Sequence, residues 1–300
     1  MQFRYFLQLL GLSALWGASF LFIRIASPVL GPAVLAALRV GLAAITLICL
    51  MRLMRHRWPV QQWRSLAWLA LSTVAAPFLL YAWAALTLPS GYSALLNTVA
   101  VLFGTLSSAW LKEDTLTPGK LLGCLCGFVG VGLIVHLGPV PLTPQVLLAV
   151  LACLAAAACY GISTPMMKRA TTHTQPLAIA ATIHVLAFPM LLPGALWRAP
   201  QAHFSAPALA ATAVLGIVTS GLAYWMHLRI MRHMTPVAAM SPTFLIPLFG
   251  VTWGHIFLGE PMGSGLFAGG ALVLLATALV SGLLSRQRPT GAPRAADPTP

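Results

Sequence analysis

Apolar runs of roughly 20 residues, the length a helix needs to cross a hydrocarbon core, follow one another from Tyr5 to Leu284 with short polar joints between them. They fall at Tyr5–Ile25, Ala33–Leu53, Ser65–Leu86, Gly91–Leu111, Pro118–Leu137, Gln145–Pro165, Gln175–Trp197, Pro207–Ile230, Val237–Leu258 and Gly265–Leu284. Breakers mark the joints: Ser27-Pro28 and Gly31-Pro32, Pro59, Pro89, Pro118, the GPVPLTP run at 138–144, Pro176, Pro200, Pro236 and Pro261. Composition agrees, because 7% charged residues are far too few for a wet surface, where about 25% is usual. The expected fold class is an all-α polytopic membrane protein with ten transmembrane helices. A net charge of +13 suggests nucleic acid in a soluble chain. Here the basic residues sit singly or in small groups between apolar runs, so the expected partner is the lipid bilayer and not nucleic acid. Arg4 before the first run imitates a signal peptide, but the run is long and others follow at once, which favours an uncleaved first helix.

The chain also repeats itself. Pro89–Val135 returns as Pro236–Gly282 in ungapped register: Pro89 on Pro236, Thr105 on Thr252, Ser108 on His255, Gly123 on Gly270. Each copy stops at Leu-x-Glu, with Glu113 in one and Glu260 in the other. Earlier, Trp16-Gly17-Ala18-Ser19 lies over Tyr160-Gly161-Ile162-Ser163, Arg24 over Lys168, and Arg39 within one residue of His184. A period near half the chain indicates a duplicated unit. The division expected is a first repeat over 5–137, a joint at 138–144, a second repeat over 145–285 and a disordered tail at 286–300.

Basic residues orient the spans. With the N-terminus inside, the cytoplasmic side collects Arg4, Arg52, Arg55, Arg57, Arg64, Lys112, Lys120, Lys168, Arg169, Arg229, Arg232, Arg286, Arg288 and Arg294, leaving Arg24 and Arg198 outside and Arg39 within a span. Both termini are expected in the cytoplasm. Five spans per half is an odd number, so the second repeat enters the membrane upside down, as in many secondary transporters.

Arg39 is the basic residue deepest in a span. Either it is a site residue, or it snorkels to the outer interface or holds backbone carbonyls. His184 is a substrate ligand, a titrating group or a packing residue. In the fourth span Ser93, Asn97, Ala100, Gly104 and Ser107 share one helical face, and in the ninth Ser241, Leu245, Leu248, Thr252 and His255 do. Such stripes face other helices or water in a bundle, either lining a cavity or packing tightly. Asn97 is the sharpest candidate because it carries two donors and an acceptor into the bilayer. Trp16, Tyr81, Trp83, Tyr92, Tyr160, Tyr224 and Trp225 are aromatics with polar handles inside spans, which suits either a cavity wall for an amphipathic solute or core packing. Tyr5, Trp58, Trp63 and Trp197 read as interfacial belt. Gly119, Gly123 and Gly127 permit close helix approach within a monomer or in a homodimer. Glu113 and Glu260 sit at predicted helix ends, which favours a helix-end or turn role over proton coupling. The five cysteines lie in apolar runs, and Cys124 and Cys126 point to opposite helical faces, so no metal site or disulfide framework is expected. With no HExxH, GxSxG or Walker loop the chain is not expected to be an enzyme or to use a cofactor.

LWGASFLFIR at 15–24, ALR at 37–39, AL at 85–86 leading to PSGYSALLN, LKEDTLTPGKLLGCLCGFVGVGLI and LGEPMGSGLFAGGALVLLA together resemble the EamA repeat of the drug/metabolite transporter superfamily. The resemblance covers both halves. It implies two inverted five-helix repeats around a central cavity and secondary transport by alternating access, commonly efflux of amino acids and other small metabolites across the inner membrane. It places the family's Trp-Gly motif on Trp16 and Gly17, its second-span arginine on Arg39 and its Leu-Gly-Glu on Leu258, Gly259 and Glu260. The family's late fourth-span proline is Ala100 here, while Pro247 keeps it in the ninth. A passive facilitator or pore, or a membrane interaction or sensory protein that moves nothing, are the alternatives.

Overall fold

The computed structural model describes residues 3–111, 117–137, 140–141, 143–233, 242–262 and 264–280. Its helices, in chain order, are α1 (Phe3–Leu30), α2 (Pro32–Leu53), α3 (Val60–Ala84), α4 (Ser90–Asn97), α5 (Ala100–Trp110), α6 (Pro118–Leu137), α7 (Pro144–His173), α8 (Pro176–Arg198), α9 (Ala206–Met231), α10 (Pro242–Leu258) and α11 (Ser264–Val280). Six of them, α1, α2, α3, α7, α8 and α9, are long and apolar enough to cross a membrane. Glu113, Ser241, the Pro236 breaker and the tail at 286–300 lie outside the described residues.

Proline placement explains most boundaries. Pro32, Pro144 and Pro176 open helices at positions whose N–H has no intrahelical partner. One expected break is absent, and one helix outruns its expected end. Pro28 sits inside α1, and the turn comes three residues later at Gly31, whose φ of +79° suits glycine. Pro165 likewise lies within α7, which runs on to His173. A proline costs one backbone bond and crowds the preceding turn, and here a long, well-packed helix tolerates it.

The halves interleave and form no separate bodies. α1 packs along α10, and α7 along α5, so the opening helix of each half lies on the late helix of the other. α2 pairs with α8, and α6 with α11. Exchanging the halves leaves these pairings unchanged. Glycines set the closeness: a Cβ on Gly17 would lie 2.5 Å from Phe249 Cβ, and one on Gly161 would lie 2.5 Å from the Ala100 carbonyl oxygen. In the α6–α11 pair a Cβ on Gly130 would meet Val273 at 2.7 Å. One turn earlier α6 presses Gly127 onto Leu102. These close approaches lie within one chain.

The repeat also duplicates helix-end chemistry. Arg24, near the end of α1, donates to the Ala85 carbonyl just past α3. Its counterpart Lys168, near the end of α7, donates through Nζ to the Met231 carbonyl at the end of α9 at 2.8 Å. Each cation satisfies a carbonyl that the helix leaves orphaned and sits at the negative end of its dipole.

Glu260 is a helix cap between halves. Gly259, at φ +62°, ends α10 with its N–H on the His255 carbonyl at 3.1 Å. The chain then turns so that the Glu260 carboxylate accepts from Ser90 N–H at 2.8 and 2.9 Å, Ser90 Oγ at 2.7 Å and Gly91 N–H at 3.3 Å. Pro89, the residue before α4, offers no side-chain acceptor, so the second half supplies the cap that the first lacks. Gly254 makes room: a Cβ there would lie 2.3 Å from both Glu260 Oε2 and Ser90 Oγ. Replacing Glu260 with alanine leaves these donors without their acceptor, at a cost of roughly 1–3 kcal/mol. The expected result is a lower Tm for purified Glu260→Ala in detergent, with Glu260→Gln between it and wild type. An unchanged Tm contradicts the capping role.

Candidate functional site

A cavity of about 210 Å³ lies where the two halves meet. Its walls come from α1, α2, α3, α4, α5, α7, α9 and α10; none of the described lining residues comes from α6, α8 or α11.

Local irregularities shape it. α3 is π-wound over Leu71–Ala75 and α9 over Val214–Leu222, so the third helix of each half is widened at a similar place. A π turn shifts the register of side chains and loosens carbonyls from the ladder. Thr73 and Thr219 reach the lining from these turns, and the Thr219 carbonyl accepts from Trp16 Nε1 at 3.2 Å. α4 and α5 are separated by a break at Thr98 and Val99, where successive N–H groups bond three residues back. Asn97 ends α4 and Ala100 begins α5, and both line the cavity. The break therefore falls in the half with Ala100, while α10 stays continuous through Pro247.

Arg39 is the one charged side chain among the described lining residues. It is 7% exposed, lies about 10 Å along α2 from its start and does not snorkel outward. Its Nε donates to Ser220 Oγ at 2.7 Å, and its guanidinium carbon lies 3.7 Å from the centre of the Phe78 ring. Gly216 allows this arrangement, since a Cβ there would meet the Arg39 carbonyl oxygen at 2.9 Å, and one helical turn later Ser220 arrives at the guanidinium. Of the chain's four acidic residues, Glu113, Asp114 and Asp297 lie outside the described residues and Glu260 caps α4. Among the described residues no carboxylate pairs with Arg39.

Aromatic rings form the rest of the wall. Tyr81 and Tyr160 stack at 6.3 Å, Phe20 stands edge-on to Tyr81 at 5.3 Å, and Trp16 meets His227 edge-on at 4.9 Å. Tyr81 donates its hydroxyl to Asn97 Oδ1 at 2.9 Å.

Of the residues singled out from sequence, Trp16, Arg39, Tyr81, Asn97, Ala100, Tyr160 and Tyr224 converge on this space. The others stand elsewhere. His184 is fully buried one layer behind, edge-on to Tyr224 at 5.3 Å, with Nδ1 donating to the Ala180 carbonyl at 2.8 Å and Nε2 unpartnered among the described residues. Ser93 is buried against Cys153 on α7, and Ser107 donates to the Gly161 carbonyl at 3.2 Å, so most of the fourth-span stripe packs on α7. Tyr92 is buried beside Glu260, away from the cavity. Trp225 packs with the cluster around α8, and Trp83 is 42% exposed. The ninth-span stripe lies apart from the cavity among the described residues: Leu248 is 60% exposed, Thr252 bonds its own helix at Leu248, and His255 is exposed. The cause is that α10 gives α1 a different face, with Gly250 and Ile246 beneath Gly17. His227, Phe78, Thr73 and Ser220 were missed. Of these only His227 carried a signal, being a second imidazole one helical turn beyond Tyr224.

The EamA-like transporter family matches this sequence twice, over residues 4–136 and 147–282. The chain belongs to that family. A curated relative, the uncharacterized transporter YvbV of Bacillus subtilis (strain 168), is 26% identical over 198 residues, covering 65% of this chain and 64% of the relative. This chain thus spans less than two thirds of that relative's length. A solved crystal structure superposes with a TM-score of 0.64 at 17% identity over 91% of this chain and 99% of its own, which shows a shared fold. The EamA assignment supplies two repeats in a multi-pass membrane protein, in keeping with the interleaved halves.

Proposed function

We propose that this EamA protein is a secondary transporter of the cytoplasmic membrane that exports small organic metabolites by alternating access. The carrying observation is the cavity itself: a polar and aromatic space at the seam of two repeats, where a rocking of one half against the other changes which side it opens to. Family membership supports the reading, and so do the broken α4–α5 helix and the paired π turns, which are backbone irregularities beside a cavity. We assign ten transmembrane helices in two inverted sets of five. The excess of Lys and Arg in the loops assigned to one side puts both termini in the cytoplasm.

Cells loaded with a labelled panel of small metabolites test this. Cells carrying the protein are expected to lose at least one solute faster than cells without it, and against its gradient when an ion gradient is imposed. Equal losses across the panel contradict export, and loss that never runs uphill indicates a passive pore.

A further inference from the structure

We infer that the cavity selects small organic anions, solutes with one carboxylate on an apolar or aromatic body and no compensating ammonium group. This rests on the proposed function only in taking the cavity as the solute site.

Arg39 has five N–H donors and no acceptor. Nε is used on Ser220 and one face is covered by Phe78, which leaves the two terminal nitrogens for a ligand. A buried guanidinium without an anionic partner is costly, and no described carboxylate supplies one. A planar carboxylate fits a guanidinium fork through two parallel hydrogen bonds. The same inventory disfavours an amine. The remaining polar side chains of the described lining are hydroxyls, the Trp16 indole, the Asn97 amide and the His227 imidazole, so an ammonium group would enter a site with a fixed cation and no described anion. Zwitterions therefore bind more weakly than the matching acids. The body of the solute lies against Trp16, Tyr81 and Tyr160, whose rings favour an aromatic or apolar portion over a bare inorganic ion.

A matched series measures this on the purified full-length protein in detergent, by calorimetric titration with 3-phenylpropionate, its amide, L-phenylalanine and 3-phenylpropylamine, with acetate and chloride as small anions. The acid is expected to bind at least about 10-fold more tightly than the amide, the value of one charge-assisted interaction. It is also expected to bind more tightly than phenylalanine and acetate, with no measurable binding of the amine or chloride. In Arg39→Lys the order persists with a smaller spread, and in Arg39→Gln the acid loses its advantage over the amide. Equal binding of acid and amide by wild type, tighter binding of the amine or zwitterion, or no binding of the acid overturns the inference. The wild-type series decides the matter even if Arg39→Gln fails to fold. If the acid binds in the expected order but is not carried across proteoliposomes, the inference stands and the transport reading falls. If the amine is carried and the acid is not, the reverse holds.

Discussion

Arg39→Ala is expected to remove most of the proposed transport while leaving the protein inserted and folded. Alanine is better tolerated than arginine inside a bilayer, since a central arginine opposes insertion by roughly 2.5–3.5 kcal/mol, so the substitution does not hinder assembly. It removes the hydrogen bond to Ser220 Oγ and the cation–π interaction with Phe78. Both hold the guanidinium in place, and the groups that make them, Ser220 and Phe78, keep their own packing when the arginine is shortened. The cavity loses its one charged lining group, and with it an interaction that contributes about 1.5–3 kcal/mol toward a charged ligand. Solute flux at a fixed subsaturating concentration should fall at least about 10-fold, with expression and Tm close to wild type. Arg39→Lys should recover part of it, because a point charge replaces a fork. Wild-type flux from Arg39→Ala at normal expression removes Arg39 from the site.

A second large effect comes from Gly161, where shape and not charge decides. A Cβ there would fall 2.5 Å from the Ala100 carbonyl oxygen, 2.6 Å from Gly104 N and 2.6 Å from Phe103 Cβ. Two of these are backbone atoms that no rotamer change can move, so Gly161→Val must push α7 away from α5. Overpacking of this kind costs about 1–3 kcal/mol and sometimes more. It also breaks the Ser107–Gly161 hydrogen bond and shifts Tyr160 and Ala100, which face the cavity. The expected outcome is a clear fall in Tm in detergent together with loss of flux. Gly11→Ala is the control, because nothing lies within 4 Å of a Cβ there and alanine favours a helix by about 1 kcal/mol. Equal Tm values for the two variants contradict the close α5–α7 packing.

The helical membrane class and the duplication were legible because apolar length and register are properties of the chain itself. Arg39 and Asn97 stood out for the same reason: their chemistry is foreign to a bilayer. What the sequence concealed depends on tertiary contact. The π turns occupy ordinary apolar stretches, LSTVA and VLGIVTSGL, and nothing in either spelling announces extra width. The break after Asn97 was obscured because proline is absent there and present at Pro247, where the helix continues. Glu260 was correctly placed at a helix end, yet the helix it caps begins 170 positions earlier in the chain. His184 and Arg39 align across the repeat but only Arg39 reaches the cavity, so the duplicated scaffold carries an unsymmetrical lining. The ninth-span stripe does not line the cavity as Asn97 and Ala100 of the fourth do, because equal spacing of small and polar residues does not say which face its neighbour takes.

The central claim is that the cavity around Arg39 opens alternately to the two sides of the membrane with a solute inside. Counterflow in proteoliposomes tests it most directly: vesicles are preloaded with a high concentration of unlabelled solute and diluted into a trace of the same solute carrying a label. Alternating access predicts that label accumulates inside above its final equilibrium level before declining, in wild type and not in Arg39→Ala. Label that rises steadily to equilibrium without an overshoot, or that moves equally in both proteins, contradicts the account.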